Sequence, residues 1–253
     1  MKETIQLYSL MGHTKADIIT QLQKDIFSLQ GFKTTVNSNA VDTGLGIIKN
    51  AFPNKIFPLG AVHEFISAGP EDAAATCGFV SDLLSSLINK NGAAIWISTR
   101  RNIFPPALSL FGIAPEKIIF IHPKKENEML WVMEEALKCN GLSAVIGEIP
   151  KLSFTASRRL QLAVEKSRVT GFVLRNDPRE INTTTCVTRW KITSLPSQLA
   201  NNMSVVGFPL WNVKLLKVRN GTPGEWQIEF SGARFRHLSK LKAISLEQQK
   251  KTG

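Results

Sequence analysis

Two short, uninterrupted apolar runs constrain this chain more than any other feature: Ala94-Ile95-Trp96-Ile97 and Ile118-Ile119-Phe120-Ile121. A strand with one wet face alternates apolar and polar residues. A strand that is apolar at every position is buried on both faces, the setting of a parallel sheet between helical layers. The surrounding pattern agrees. Strands are predicted at Ala61–Ile66, Ala93–Ser98, Lys117–Ile121, Ser143–Gly147 and Thr170–Leu174. Helices are predicted between them at Asp72–Asn89, Pro106–Phe111, Asn127–Lys138 and Thr155–Ser167. Strict alternation of this kind predicts an α/β fold, a mostly parallel sheet flanked by helices.

The periodicity changes after Leu174. Cys186, Thr188, Trp190 and Ile192 alternate with Val187, Arg189 and Lys191, and Trp226, Ile228 and Phe230 alternate again. The stretch Arg219-Asn220-Gly221-Thr222-Pro223-Gly224 reads as the connection of a hairpin between Trp211–Val218 and Glu225–Phe230. Antiparallel strands are therefore expected to extend the sheet. At the other end, Ile18, Leu22, Ile26 and Leu29 recur at helical steps within Thr14–Leu29, with Gly31 as a stop. The polar residues 32–46 read as a linker, and a short helix follows that ends at Pro53. The expected organisation is an N-terminal helix and linker over 1–46, a core over 47–196, a strand extension over 197–230 and a basic tail, disordered at its end, over 231–253.

Charge is segregated along the chain. Residues 1–150 hold 13 basic and 14 acidic side chains, whereas residues 151–253 hold 18 and 6. The tail from Ser231 sets Arg234, Arg236, Lys240, Lys242, Lys250 and Lys251 against Glu247 alone. A basic half is either a solubilising surface or the footprint of a polyanion or acidic partner. Cys77, Cys139 and Cys186 are widely spaced in apolar settings and read as buried thiols, with no metal pattern. No apolar run approaches the ~18 residues of a membrane span, and the first residues lack the form of a signal peptide. A cytoplasmic protein without cofactor or metal is expected.

The segment Ser67–Thr76 follows the first sheet strand and precedes a long helix, the position of a phosphate-binding loop. Such a loop needs a glycine whose backbone wraps the phosphate, a lysine for the outer phosphates and a hydroxyl for Mg²⁺. Here Gly69 and Thr76 are present, Ala74 stands at the second glycine and Ala75 at the lysine. Glu71 and Asp72 add negative charge to the first helical turn, where an anion would sit.

Several further segments combine into a recognisable order. They are Leu59–Glu64 (LGAVHE), Pro106-Ala107-Leu108, Phe111-Gly112-Ile113, Leu130–Leu137 (LWVMEEAL) and Ala144–Glu148. Thr155–Ala163 (TASRRLQLA), Thr188-Arg189-Trp190 and Pro223–Trp226 continue the series. From Phe57 to Pro196 the chain resembles the ImuA family of RecA-like proteins, encoded in bacterial error-prone repair cassettes beside ImuB and a DnaE-type polymerase. The resemblance implies a RecA-like sheet. Against RecA itself, Ala74 and Ala75 replace the glycine and lysine, Arg100 stands at the glutamate that activates water, and Glu148 stands at the magnesium-orienting aspartate. The segments matching RecA's two DNA-binding loops, Ile149–Phe154 and Arg175–Thr184, are short.

The resemblance thus implies a protein that is not an enzyme, an accessory of translesion DNA synthesis in the SOS response. Its implied partners are an ImuB-like protein, RecA and DNA, with the DnaE-type polymerase reached indirectly and no membrane. Two alternatives stay open, a SulA-like cell-division inhibitor and an ATP-binding recombination protein. Candidate DNA or partner contacts are Arg158, Arg159, Arg175, Arg179, Arg189, Lys191, Arg234 and Arg236; for Arg158 and Arg159 a solvated helix face is the other reading. Trp131 reads as core with Met133, Ala136 and Leu137, and His63 as a hydrogen-bonded core histidine. Glu64 and Glu148 are weighed as an acid pair. Trp190, Trp211 and Trp226 either pack on the sheet or stack single-stranded bases.

The leading helix is expected to dock on RecA or on a second copy through Ile18, Leu22, Ile26 and Leu29, each worth about 1.5–3 kcal/mol if fully covered. A Leu22→Asp variant should keep its fold and melting temperature and lose that partner in a pull-down. Unfolding or aggregation of the variant would instead place the helix in the core.

Overall fold

The computed structural model describes residues 14, 15, 17, 19, 22, 41–88, 92–178, 180–196, 207–231 and 234–237. They fall into two units divided after Ala40. In the first, Lys15, Asp17, Ile19 and Leu22 are helical. Thr14 starts that helix: its Oγ1 accepts from the Asp17 amide at 3.4 Å, and its own amide donates to Asp17 Oδ2 at 2.9 Å. This reciprocal pair satisfies two amide donors at the helix start. Leu22 is exposed. Ile18, Ile26 and Leu29 lie outside the described residues.

Among the described residues of the second unit there are nine strands and three α-helices. In order they are β1 (Val62–Ser67), α1 (Pro70–Ile88), β2 (Ala93–Ile97), β3 (Ile118–Ile121), α2 (Glu126–Leu137) and β4 (Leu142–Glu148). Then come α3 (Phe154–Ser167), β5 (Thr170–Asn176), β6 (Thr188–Leu195), β7 (Leu210–Val218), β8 (Gly224–Ser231) and β9 (Arg234–His237). All nine strands belong to one sheet in the order β3-β2-β4-β5-β1-β6-β7-β8-β9. The first six strands run parallel, and β7 to β9 add as antiparallel neighbours. The predicted fold class is therefore present. The sheet runs without interruption across the boundary drawn at 196. Within the segment expected as a basic tail, Arg234–His237 pairs with β8 as a ninth strand. The segment Pro105–Phe111 is a 3-10 helix, with two prolines at its start.

Each face of the sheet carries its own apolar core. Phe65, Phe79, Trp96, Phe172 and Trp190 anchor the one under α1. Val62, Met133, Leu137, Leu160 and Val173 anchor the other, under α2 and α3. Trp190 and Trp211 are buried, so both tryptophans pack on the sheet and are withdrawn from base stacking. Trp211 lies so close to α1 that a side chain at Gly78 would meet its ring at 2.7 Å. Trp131, expected in the core, is 62% exposed: helical geometry turns Met129, Met133, Ala136 and Leu137 inward and leaves position 131 outside. Cys186 is buried and Cys77 half-buried, whereas Cys139, just past the end of α2, is exposed.

His63 sits at the centre of a buried polar chain. The Trp190 indole donates to Thr188 Oγ1 at 2.7 Å, and Thr188 Oγ1 lies 2.8 Å from His63 Nδ1. His63 Nε2 lies 2.9 Å from the Pro58 carbonyl. A carbonyl only accepts, so Nε2 carries the proton and Nδ1 accepts from the threonine hydroxyl. The site suits a neutral ring, and burial lowers the His63 pKa to about 3. A group whose folded pKa is depressed below its usual 6.5 adds stability that is lost as pH falls below that value. Between pH 7 and pH 5 the fold should lose about 2 kcal/mol through this residue. Chemical denaturation across that interval checks it: His63→Leu should be less stable throughout and show a flatter pH profile. An equally steep profile in the variant would assign the loss elsewhere.

Candidate functional site

The carboxyl ends of the parallel strands open on a cleft of about 1400 Å³. In open α/β sheets this end is where ligands bind. One wall is α1 and the segment Asn102–Phe111; the other is formed by residues 150–153 and 175–182. Gly69, Ala74, Arg100 and Glu148 all line it, which brings four of the six residues of the predicted nucleotide loop together. Ala75 and Thr76 face the other way, into the core.

The local chain path explains that division. Only Ala68 and Gly69 separate β1 from α1. Gly69 turns the chain at φ +89°, a conformation that disfavours a side chain, and Pro70 then opens the helix. The Ala73 amide is already bonded to the Gly69 carbonyl at 3.1 Å. Residues 70–76 are thus helix, where a phosphate-binding loop would present a ring of free amides. Thr76 is fully buried and its hydroxyl is hydrogen-bonded to Ser67 Oγ at 2.9 Å. Asp72 Oδ1 accepts from the Ser194 amide at 2.9 Å and ties the helix start to the end of β6. The wider lining adds no compensating charge. Among the described residues Arg100, Lys151 and Arg175 are set against Glu126, Glu148, Asp177 and Glu180, so the described lining carries more carboxylates than cations. Arg100 is exposed, and Glu148 accepts from the Trp96 indole at 3.1 Å.

The far wall is built on a buried charge cluster. Glu64, in the middle of β1, is fully buried. Its Oε1 accepts from Arg175 Nη1 of β5 at 2.7 Å and its Oε2 from Arg189 Nε of β6 at 2.7 Å. Thr184 Oγ1 donates to the same Oε2 at 2.8 Å. Arg175 then reaches outward: its Nε donates to the Pro150 carbonyl at 3.2 Å and its Nη2 to the Glu180 carbonyl at 2.8 Å. Asn182 Nδ2 closes the cluster on the Leu152 carbonyl at 3.0 Å. The two segments that match RecA's DNA-binding loops are therefore pinned to each other and to the sheet.

This placement corrects three expectations. Arg175 is 3% exposed and spends its donors inside the protein, so it makes no DNA contact. Arg189 is half-buried and held by Glu64, the Asn182 carbonyl and Thr184. Glu64 and Glu148 form no acid pair, because Glu64 lies on the α3 side of the sheet with Arg189, whereas Glu148 bonds Trp96 of the other core. The missed signal was a glutamate inside an apolar strand run; a buried carboxylate demands cations, and two arginines were available in the neighbouring strands.

The remaining candidates are dispersed. Arg158 is exposed on α3. Arg159 forms an ion pair with Glu134 of α2. Lys191 is half-buried on β6 and Arg236 exposed on β9. Arg179 and the side chain of Arg234 lie outside the described residues. In the TASRRLQLA segment the polar residues have structural work. Gln161 accepts from the Val62 amide at 3.2 Å, and Ser157 Oγ accepts from the Thr185 amide at 3.0 Å. Among the described residues no group of three or more metal-ligating side chains occurs, and no helix is long and apolar enough to cross a membrane.

No family model matches the chain. Among curated proteins, Protein ImuA of Caulobacter vibrioides (strain NA1000 / CB15N) is 34% identical over 194 residues, covering 72% of this chain and 80% of that protein. Cell division inhibitor SulA of Photorhabdus laumondii is 27% identical over 107 residues, covering 41% of this chain and 59% of that protein. Among solved structures, a KaiC-like protein from the archaeon Pyrococcus horikoshii superposes with a TM-score of 0.52 over 75% of this chain and 97% of its own, at 11% identity. That likeness, with the strand order, makes the fold RecA-like.

The charge cluster has a measurable consequence. Removing one partner of a buried ion pair costs about 3–5 kcal/mol. Arg175→Ala should lower the melting temperature by roughly 10 °C and open the segment around Ile181 to thermolysin. Arg158→Ala should melt as the parent does. Equal melting of all three proteins would show that the cluster does not hold the wall.

Proposed function

This chain belongs to the ImuA family, and from that premise we propose that it is a non-catalytic accessory protein of error-prone translesion DNA synthesis. Family membership and the RecA-like fold support a DNA-damage-associated function. In the proposed role the protein bridges an ImuB-like protein, RecA and DNA, with the DnaE-type polymerase reached through the ImuB-like protein. The observation that carries the non-catalytic part is the closed helix start. Phosphoryl transfer depends on cations and amides placed around the transferring group. Ala75 supplies no cation, the turn at Gly69 leaves no ring of amides, and the Thr76 hydroxyl is bonded to Ser67. Arg100 offers no base at the strand end.

The partial likeness to SulA keeps the division-inhibitor reading as the alternative. The basic half of the chain favours DNA over that reading, since neutralising phosphates is the ordinary use of such a surface.

The purified protein should not hydrolyse ATP above background in a phosphate-release assay. Ala75→Lys should not restore turnover. Position 75 is 4% exposed, so a lysine there buries an ammonium and should lower the melting temperature instead. Turnover in the unmodified protein that disappears in Thr76→Ala would contradict the proposal.

A further inference from the structure

The outer four strands leave one face of the sheet open. Trp190, Ile192, Trp211, Val213, Leu215 and Ile228 point into the core under α1. The residues between them point the other way. On that side α3 packs chiefly on β1 and β5, and among the described residues no helix makes more than marginal contact with β6 to β9 there. Two like-charge pairs face each other across β6 and β7 there: Arg189 opposite Lys217, and Lys191 opposite Lys214. Like charges directly opposite in a sheet are destabilising. A sequence that keeps two such pairs in succession gains nothing in stability from them.

The compensation within the protein is partial. Glu64 holds Arg189, but it is shared with Arg175. Glu225 holds Lys214 at 3.1 Å. Lys217 donates to the Thr184 carbonyl at 2.7 Å, and among the described residues no carboxylate reaches Lys191. Burial depresses the Lys217 pKa, and the nearby Arg189 and Arg219 guanidiniums add to the effect. Arg236 of β9 continues the strip towards the edge, opposite Glu229. None of the strand residues on this face is aromatic, because the rings of Trp190, Trp211, Phe230 and Phe235 lie on the other side.

We propose that the open face of β6 to β9, centred on Lys191 and Lys214, binds the phosphodiester backbone of DNA. The contact reads charge and not bases, since binding by stacking needs exposed rings on the platform. Neither Lys191 nor Lys214 lines the strand-end cleft, although Arg189 and Lys217 on the same face touch the end of the second pinned segment. The inference rests on the reading that this protein acts on DNA, and it names the surface through which it does so.

The test is fluorescence anisotropy with a labelled short DNA duplex over a range of salt. Lys191→Gln/Lys214→Gln should weaken binding about tenfold at low salt and reduce the log–log salt slope by roughly 1.8, two phosphate contacts' worth. The same double variant should melt close to the parent, because losing the exposed Lys214–Glu225 ion pair is offset by removing the repulsive pair. Lys138→Gln/Lys166→Gln, an equal change of charge on α2 and α3, should alter affinity by less than about twofold. A labelled thymidine oligomer should bind no more tightly than the duplex. Parent-like affinity and slope in the β6–β7 variant would overturn the assignment while leaving DNA binding intact. So would an equal loss in the α2–α3 variant, or a clear preference for the single strand. An absence of DNA binding by the unmodified protein would overturn the DNA part of the proposed function itself.

Discussion

The carboxylate of Glu64 governs more of this structure than any other polar group. It lies at the centre of β1, itself between β5 and β6, and is removed from water altogether. A buried charge costs several kcal/mol unless it is matched. Here one arginine comes from each neighbouring strand, so the register of three parallel strands is fixed by charge as well as by apolar packing. The same arginines then reach the carbonyls of Pro150, Glu180 and Asn182. One carboxylate thereby organises the far wall of the strand-end cleft.

The near wall is organised by geometry rather than charge. A two-residue connection with Gly69 at positive φ lets α1 begin at once. That economy consumes the amides a phosphate would use. It turns Ala75 and Thr76 into core residues and leaves Asp72 to tie the helix start to β6. The result is a RecA-like sheet whose strand-end cleft stays open, while the helix start beside it is tied down by its own hydrogen bonds. The basic residues of the second half are spread over this end, α3 and the outer strands, and on the last of these like charges face each other across β6 and β7.

Much of this was legible in the residues. The doubly apolar runs at 94–97 and 118–121 announced a parallel sheet, and the hairpin residues 219–224 announced its antiparallel extension. His63 was readable as a core histidine. Other features were hidden for physical reasons. Position 131 sits in an apolar stretch, and only the phase of the helix, set by Met129 and Met133, sends the tryptophan outward. Arg175 and Arg189 look like surface cations until Glu64 is placed between them. The nearness of Glu64 to both depends on strand order, because β5 and β6 are distant from β1 in sequence. The ninth strand was hidden by the basic composition of its segment. The segment 69–76 does lie between β1 and α1, but its helical path from Pro70 onward was not legible in its residues.

The proposal that depends most on this geometry is that the open strand-end cleft holds no nucleoside triphosphate, because its helix start offers neither a cation nor a ring of free amides. Titration calorimetry of the unmodified protein with Mg²⁺-ATP addresses it directly, since it reads binding independently of turnover. The account predicts no saturable heat up to millimolar nucleotide. A saturating isotherm in the micromolar range, weakened by Thr76→Ala, would show that the helix start opens to admit a phosphate, and would contradict it.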